Sequence, residues 1–167
     1  MLTKEDDIRV IWHEYGVPIP RNGAILLAPF NYSARPLVFS GGETIFTWHR
    51  VAQLPPADHF KPNLPLLQPV RFSNGATVLG LLRNIHDSMP APGKPWIVHM
   101  LWRVDNPNAK YYKLFAHLID INGINAQVDP LGMIPGQQHT GEHILSQLEF
   151  QIADDLPASG PLFIRFG

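Results

Sequence analysis

Hydrophobic and polar residues alternate along much of the chain, and the pattern is strongest near its middle. Trp96, Val98, Met100, Trp102 and Val104 fall on every second position of one segment. Because successive side chains of a strand point to opposite faces of a sheet, this spacing predicts a β-strand with one strongly apolar face. We expect this strand and the segments that follow it, up to residue 129, to form the interior of an antiparallel β domain.

Turn sequences between the apolar runs predict hairpins. Asn-Gly pairs at 74–75 and 122–123 each separate two strand-like runs. This dipeptide favours a type I′ turn, which requires positive φ at both central residues. A glycine turn at 40–43 predicts a further hairpin between residues 36–39 and 44–51. Additional strands are predicted at 24–28, 148–152 and 162–166.

Only one segment has the pattern of a helix, over residues 3–16. Thr3 is a suitable N-cap, acidic residues follow it in the first turn, and Gly16 can end the helix before Pro18. Its apolar residues recur at helical spacing and form one stripe. We therefore expect an N-terminal helix that packs against the β domain.

A proline-rich stretch at residues 53–69 predicts a linker or an extended crossover. It divides the chain into an N-terminal region, 1–69, with the helix and short strands, and a β domain, 70–167. The second region contains six or seven predicted strands. Their number and spacing predict a mainly β fold, an antiparallel two-sheet β-sandwich of jelly-roll or immunoglobulin-like type.

Composition excludes several classes of protein. The 167 residues are 45% hydrophobic and 16% charged, which is typical of a chain with a real core. The net charge of -1, without a long basic run, argues against a nucleic-acid partner. The absence of cysteine excludes disulfides, a thiolate nucleophile and cysteine-bound metal. No segment has the roughly 20 apolar residues of a membrane span, and no signal peptide is visible, so the chain as given is expected to be soluble.

Histidines are the first residues to consider for chemistry. His139 and His143 are four residues apart, a spacing used for zinc on a helix, but Gly141 and the loop-like context favour a solvated loop. His99 and His117 fall near the middle of two strands that we predict to be neighbours, so they are expected to approach across a sheet face. Hydrogen-bonded structural histidines are the favoured interpretation of this pair.

Other catalytic patterns are absent from the sequence. It contains no Gly-x-Ser-x-Gly elbow and no phosphate-binding loop. Carboxylates that could pair for glycoside hydrolysis are equally well explained by roles in turns. These are Asp120, Asp129, Glu142 and Glu149. The sequence therefore predicts no catalytic residue, no metal and no cofactor.

Aromatic residues offer a binding surface instead. Sandwich domains that bind sugars use exposed aromatic faces with polar groups nearby. Trp96 and Trp102 share the apolar face of the central strand and are expected in the core, whereas Trp48 and Tyr111 are expected to be exposed. The candidate binding residues are Trp48, Tyr111, His99 and His117.

The order of short motifs across residues 70–167 resembles a known region. It is similar to the extracytoplasmic C-terminal β-sandwich of bacterial membrane proteins of the protein mannosyltransferase type, glycosyltransferase family 39-like. The motifs are Val78-Leu79-Gly80, Met100-Leu101-Trp102, Phe115–Asp120, Asn122-Gly123, Ala126-Gln127, Asp129, Pro135, Gly141-Glu142, Asp155-Leu156-Pro157, Gly160 and Ile164–Gly167. One departure is that no tryptophan precedes Gly141-Glu142, where the family usually has one.

The resemblance implies an accessory module, because the transferase's catalytic part lies in membrane helices that this chain lacks. The expected function is a non-catalytic, extracytoplasmic module that binds a saccharide or a lipid-linked sugar, or that packs on a membrane-protein partner or parent chain. Two alternatives remain open. One is a small metal-dependent or acid–base enzyme that uses His99, His117 and Glu142, and the other is a purely structural interaction domain.

Overall fold

The computed structural model describes most of the chain from residue 51 onward and short strands before it. The described residues are 17–19, 24–27, 37–38, 44–46, 51–64, 66, 68–73, 75–83, 89–106, 115–129, 139–156 and 160–167. Within them the strands are β1 (Val17–Ile19), β2 (Ala24–Leu27), β3 (Leu37–Val38), β4 (Thr44–Phe46), β5 (Val51–Leu54), β6 (Val70–Arg71), β7 (Ala76–Leu82), β8 (Pro95–Val104), β9 (Ala116–Asp120), β10 (Gly123–Val128), β11 (His143–Gln151) and β12 (Phe163–Phe166). A short 3-10 helix covers Ala57–His59. The predicted helix at 3–16 lies outside the described residues.

The larger of the two main sheets has five antiparallel strands, in the order β1-β11-β8-β7-β6. Its centre is β8, the strand that alternation predicts at 96–104. β11 pairs with β8 along its whole length, from His143 opposite Arg103 to Gln151 opposite Pro95. β7 covers the other edge of β8, and the predicted hairpin between β6 and β7 is confirmed.

β8 is buried on both faces, which its alternation alone does not predict. The alternating set that includes Val98 and Trp102 is fully buried in the core, and both residues are 0% exposed. On the opposite face Leu101 is 2% exposed and His99 is 8% exposed. This opposite side, the outer face of the five-stranded sheet, also buries Leu82 and Leu145, which lie beside β8 residues in the register.

The smaller main sheet has three antiparallel strands, in the order β10-β9-β12. It contains the predicted hairpin at Asn122-Gly123, but the predicted turn type is wrong. The pairing of Asp120 with Gly123 makes Ile121 and Asn122 the loop residues, and neither has a positive φ. The turn is held instead by the carboxylate of Asp120, which accepts hydrogen bonds from the backbone N–H groups of Asn122 and Gly123.

The inner faces of the two sheets contribute to a single hydrophobic core. Ala116, Leu118 and Ala126 of the three-stranded sheet belong to the same cluster as Val98 and Trp102 of the five-stranded sheet. The fold is therefore mainly β and built on two antiparallel sheets, as the sequence predicts. No helix among the described residues is both long and apolar enough to cross a membrane.

Shorter strands lie in the N-terminal part. The strand predicted at 24–28 is β2, which pairs with β5, and the predicted glycine-turn hairpin appears as β3 paired with β4. β1 is an edge strand of the five-stranded sheet, where Pro18 can be accommodated because an edge position can lack a donor. A strand from residues 1–69 thus joins the main sheet, and the division at residue 70 stays a prediction.

The predicted crossover at 53–69 contacts β7 where β6 is too short to pair with it. Leu64 exchanges backbone hydrogen bonds with Leu81, and the side-chain amide of Asn63 both donates to and accepts from the backbone of Arg83. These bonds fix Pro62 over Gly80, at a β-bulge between Val78 and Gly80. A Cβ on Gly80 would lie 2.5 Å from Cβ of Pro62, so only glycine fits.

Gly80→Ala is expected to destabilise the fold by about 3 kcal/mol, from an unfavourable φ and from the clash with Pro62 together. Gly160→Ala is the matched control. Gly160 has a similar φ of 137°, against 156° at Gly80, but a Cβ there meets nothing within 4 Å. Chemical denaturation would measure both, and equal losses of stability would show that the Pro62 contact is unimportant.

A buried hydrogen bond joins β8 and β11 inside the core. The indole N–H of Trp102 donates to the hydroxyl of Ser146 at 3.0 Å. Trp96 provides a contrast, because its buried indole nitrogen has no acceptor in the described part of the chain. The indole of Trp96 instead stacks on Phe150, with ring centroids 5.8 Å apart.

Ser146→Ala is expected to cost about 1–3 kcal/mol of unfolding free energy, because it leaves the indole N–H of Trp102 buried without an acceptor. The double variant Ser146→Ala with Trp102→Phe should recover part of this loss, since the unpaired donor is then also removed. A thermodynamic cycle from urea denaturation tests the pair. Strict additivity of the two single changes would contradict the proposed coupling.

Candidate binding face

The solvent side of the three-stranded sheet is the surface most suited to binding, and we call it the open face. Its side chains alternate with the core residues of β9, β10 and β12, and they are exposed or half-buried. One row across the sheet is Gln127, His117 and Arg165, which lie directly opposite one another. A second row is Ile124, Ile119 and Phe163.

The aromatic ring of Phe115 flanks the polar row on one side. Phe115, just before β9, stacks on His117 with ring centroids 4.5 Å apart and an angle of 26° between the planes. Gly167 pairs with Phe115 through two backbone hydrogen bonds, and a Cβ there would lie 2.0 Å from the ring. The absent side chain lets the Phe115 ring lie close against the backbone of Gly167. The result is a stacked pair of rings at the start of β9, with Arg165 of β12 directly opposite His117.

The other end of the open face is apolar. Phe163 is 57% exposed, Ile124 is 59% exposed, and Ile121 in the adjoining turn is 86% exposed. A single exposed apolar side chain is normal on a protein surface. Three large ones grouped at one end of a small sheet are typical of an interaction site. The open face therefore combines an apolar end with a row of hydrogen-bonding groups.

The turn at this end carries a stable negative charge. Hydrogen bonding from the backbone N–H of Asn122 is the main reason that the pKa of Asp120 is lowered, and the N–H of Gly123 adds to it. Asp120 is consequently ionised at neutral pH. Its role in the structure is to hold the turn between β9 and β10.

His99 does not belong to the open face. It lies on β8, between Leu82 of β7 and Gln147 of β11, whereas His117 lies on β9 in the other sheet. The prediction that these two histidines occupy neighbouring strands is therefore wrong. The physical reason is that both edges of β8 are already paired with β7 and β11, so β9 can approach only through the core.

Glu142 and its two neighbouring histidines form a turn that leads into β11. The carboxylate of Glu142 accepts the backbone N–H of His139 at 3.2 Å, and the N–H of Glu142 donates to the carbonyl of His139 at 3.0 Å. His143 is the first residue of β11 and lies opposite Arg103. In the part of the chain that the structure describes, no three histidine or acidic side chains are grouped to hold a metal ion.

A polar cluster lies at the end of β8, away from the open face. Thr77 and Arg103 both donate to the carboxylate of Asp105, the latter at 2.7 Å. Burial of Asp105 opposes its ionisation, but these hydrogen bonds and the charges of Arg103 and Arg71 outweigh that effect and lower its pKa. Asp105 is bound by both Thr77 and Arg103, so the arrangement is that of a structural ion pair.

Of the two predicted binding residues that the structure describes, His117 lies on the open face and His99 does not. Trp48 and Tyr111 lie outside the described residues, and their role stays a prediction. Sequence reasoning did not select Phe163, Arg165 and Gln127. The alternation of 162, 164 and 166 indicated a strand whose intervening residues point outward, but which outward residues meet across a sheet depends on strand pairing.

Comparison with protein-family models, with curated proteins and with solved structures found no match. A functional proposal for this chain therefore rests on its fold, on the open face and on the motif resemblance in residues 70–167.

His99 is expected to make stability depend on pH. Burial lowers its pKa from 6.5 to about 4, so at neutral pH it is uncharged in the folded protein. As the pH falls below about 6.5, the unfolded chain binds a proton that the folded protein does not. Stability is therefore fully present above that pH and falls towards pH 4, by up to about 3 kcal/mol. The pKa of His143 is also lowered, through burial and Arg103, and adds in the same direction.

Urea denaturation between pH 4 and 7 would measure this effect in the wild type and in His99→Gln. The variant should show a flatter dependence on pH, even if it is less stable at pH 7. An unchanged slope would exclude His99 as the source.

Proposed function

We propose that this chain is a non-catalytic β-sandwich module that binds a saccharide or a lipid-linked sugar on its open face. We also propose that it acts outside the cytoplasm, as an accessory to a glycosyltransferase-like membrane protein. The single core between the two antiparallel sheets supports a sandwich arrangement. The sequence resemblance to the C-terminal region of family 39-like proteins supports the accessory role.

The observation that carries the binding proposal is the composition of the open face. A saccharide offers both C–H surfaces that stack on rings and hydroxyl groups that need hydrogen-bond partners. The Phe115–His117 pair and Phe163 provide the rings. Gln127 and Arg165 provide amide and guanidinium groups in the same row as His117. These groups stand on paired strands, so their spacing is largely set before a ligand arrives.

The enzymatic alternative has less support. His99, His117 and Glu142 were its expected catalytic group, but His99 and His117 lie in different sheets, and Glu142 closes a turn with His139. The described residues therefore offer this alternative no common site.

A protein-interaction domain is the second candidate, and one observation favours it. Ile121, Ile124 and Phe163 expose apolar side chains at the turn end of the open face. A protein partner would bury this end, whereas a saccharide would depend more on the polar row. The two candidates therefore predict different residues as the main contributors to binding.

A glycan array followed by titration with the best ligand tests the proposal. Arg165→Ala and Phe163→Ala are each expected to weaken binding about tenfold, through a lost hydrogen bond or a lost stacking surface. Met89→Ala is the matched control. Met89 is 61% exposed, much like Phe163, but it lies beside Arg83 at the end of β7 in the other sheet.

Two results would contradict saccharide binding. One is the absence of binding to any glycan by the folded wild type. The other is binding that Met89→Ala weakens as much as Phe163→Ala does. If Ile121→Ser and Ile124→Ser abolish association with a purified membrane partner while Arg165→Ala does not, the interaction-domain candidate is favoured instead.

A further inference from the structure

The β9–β10 turn brings three reactive groups together. The carboxylate of Asp120 accepts the backbone N–H of Gly123 through Oδ1 at 3.0 Å. Its second oxygen, Oδ2, lies 3.5 Å from the side-chain nitrogen of Asn122. A single carboxylate thus contacts the Gly123 nitrogen on one side and the Asn122 amide on the other.

When an asparagine deamidates, the backbone nitrogen of the next residue displaces the side-chain nitrogen from the side-chain carbonyl carbon. Here these two nitrogens belong to Gly123 and Asn122. We propose that Asn122 is a site of spontaneous deamidation in the folded protein, with the Asp120 carboxylate as the proton acceptor for the attacking Gly123 nitrogen. The inference is independent of the saccharide-binding proposal. It identifies a chemical modification site at one end of the open face.

The reaction balances with water as the only other reactant. The backbone nitrogen of Gly123 forms a bond to the side-chain carbonyl carbon of Asn122, and its proton passes to Asp120. The bond from that carbon to Nδ2 breaks, and Nδ2 leaves as ammonia after it takes up the proton from Asp120. Water then opens the cyclic imide at either carbonyl, which gives aspartate or isoaspartate at position 122. No oxidant or metal takes part.

Local packing permits the necessary movement. Asn122 and Gly123 are both exposed, and a Cβ on Gly123 would meet nothing within 4 Å. Glycine has no side chain to hinder ring closure and has the broadest backbone freedom of any residue. The ring can therefore form without displacing the core.

The second Asn-Gly pair provides an internal comparison. The backbone nitrogen of Gly75 donates to the carbonyl of Phe72 at 3.1 Å, so it is held by a main-chain acceptor that cannot take up a proton. The carbonyl of Gly75 also accepts the N–H groups of Asp105 and Asn106. A Cβ on Gly75 would lie 2.4 Å from Cβ of Asn106, which shows how closely this turn is packed. Gly75, the glycine of this second pair, thus lies in a closely packed position with its nitrogen held by a main-chain acceptor.

Deamidation would change the turn in two ways. Isoaspartate adds a methylene group to the main chain of a two-residue loop, which disturbs the pairing of Asp120 with Gly123. Either product also places a second negative charge beside Asp120. Both changes act on the hairpin that carries Ile119, Ile124 and His117 on the open face.

Peptide mapping by mass spectrometry would follow both asparagines in the intact protein during incubation at neutral pH. In the folded protein, Asn122 should convert about tenfold faster than Asn74, a modest ratio because a carboxylate is a weak base. In urea the two rates should become similar, because both sites then have the same glycine neighbour and no structure. Equal rates in the folded protein, or a faster reaction at Asn74, would overturn the proposal.

Asp120→Asn tests the role of the carboxylate. An asparagine oxygen can still accept both turn hydrogen bonds, but it cannot take up a proton at neutral pH. Deamidation of Asn122 should slow several-fold in this variant, while the rate in urea should change less. If the variant loosens the turn, Asp120→Glu offers a second test, because it keeps a carboxylate and should react faster than Asp120→Asn. A rate in Asp120→Asn equal to or above that of the wild type would overturn the proton-acceptor role.

Discussion

The structure depends on the burial of β8 on both of its faces. One face fills the core between the two sheets, and the other buries Leu101 and His99 on the outer face of the five-stranded sheet. A strand in this position needs hydrogen-bonded neighbours on both edges, because unpaired backbone groups in an apolar interior are costly. β7 and β11 provide them, and the arrangement of the remaining strands follows from that pairing.

This constraint also decides where binding chemistry can lie. The five-stranded sheet uses its central side chains for packing, and even His99 is kept uncharged there by burial. The three-stranded sheet buries only its inner face, so His117 and its neighbours across the strands remain accessible. The open face is thus the side of the smaller sheet that the shared core does not use. Its exposed residues take no part in the shared core cluster.

The residues around an Asn-Gly dipeptide decide its turn geometry and its reactivity. Gly75 of one Asn-Gly pair is packed against Asn106, whereas Gly123 of the other is exposed beside the carboxylate of Asp120. At 122–123 only Gly123 has a positive φ, and the carboxylate of Asp120 holds the turn by accepting backbone N–H groups. A local motif therefore predicts a turn, whereas its geometry and reactivity depend on the residues that surround it.

The sequence by itself determined the hairpins and most of the strands, but not β1, most of β5 or the first half of β11. Alternation at 96–104 and the turn dipeptides predicted β8, β9, β10 and the β6–β7 pair, because side-chain periodicity is a local property of the backbone. Strand pairing was decided only in the tertiary structure. Which strands become neighbours depends on contacts between distant segments, so sequence reasoning placed His99 beside His117 and did not select Arg165 and Phe163. Arg165 lies opposite His117, and Phe163 opposite Ile119, because β12 pairs with β9. That pairing places Ile164 and Phe166 against the shared core.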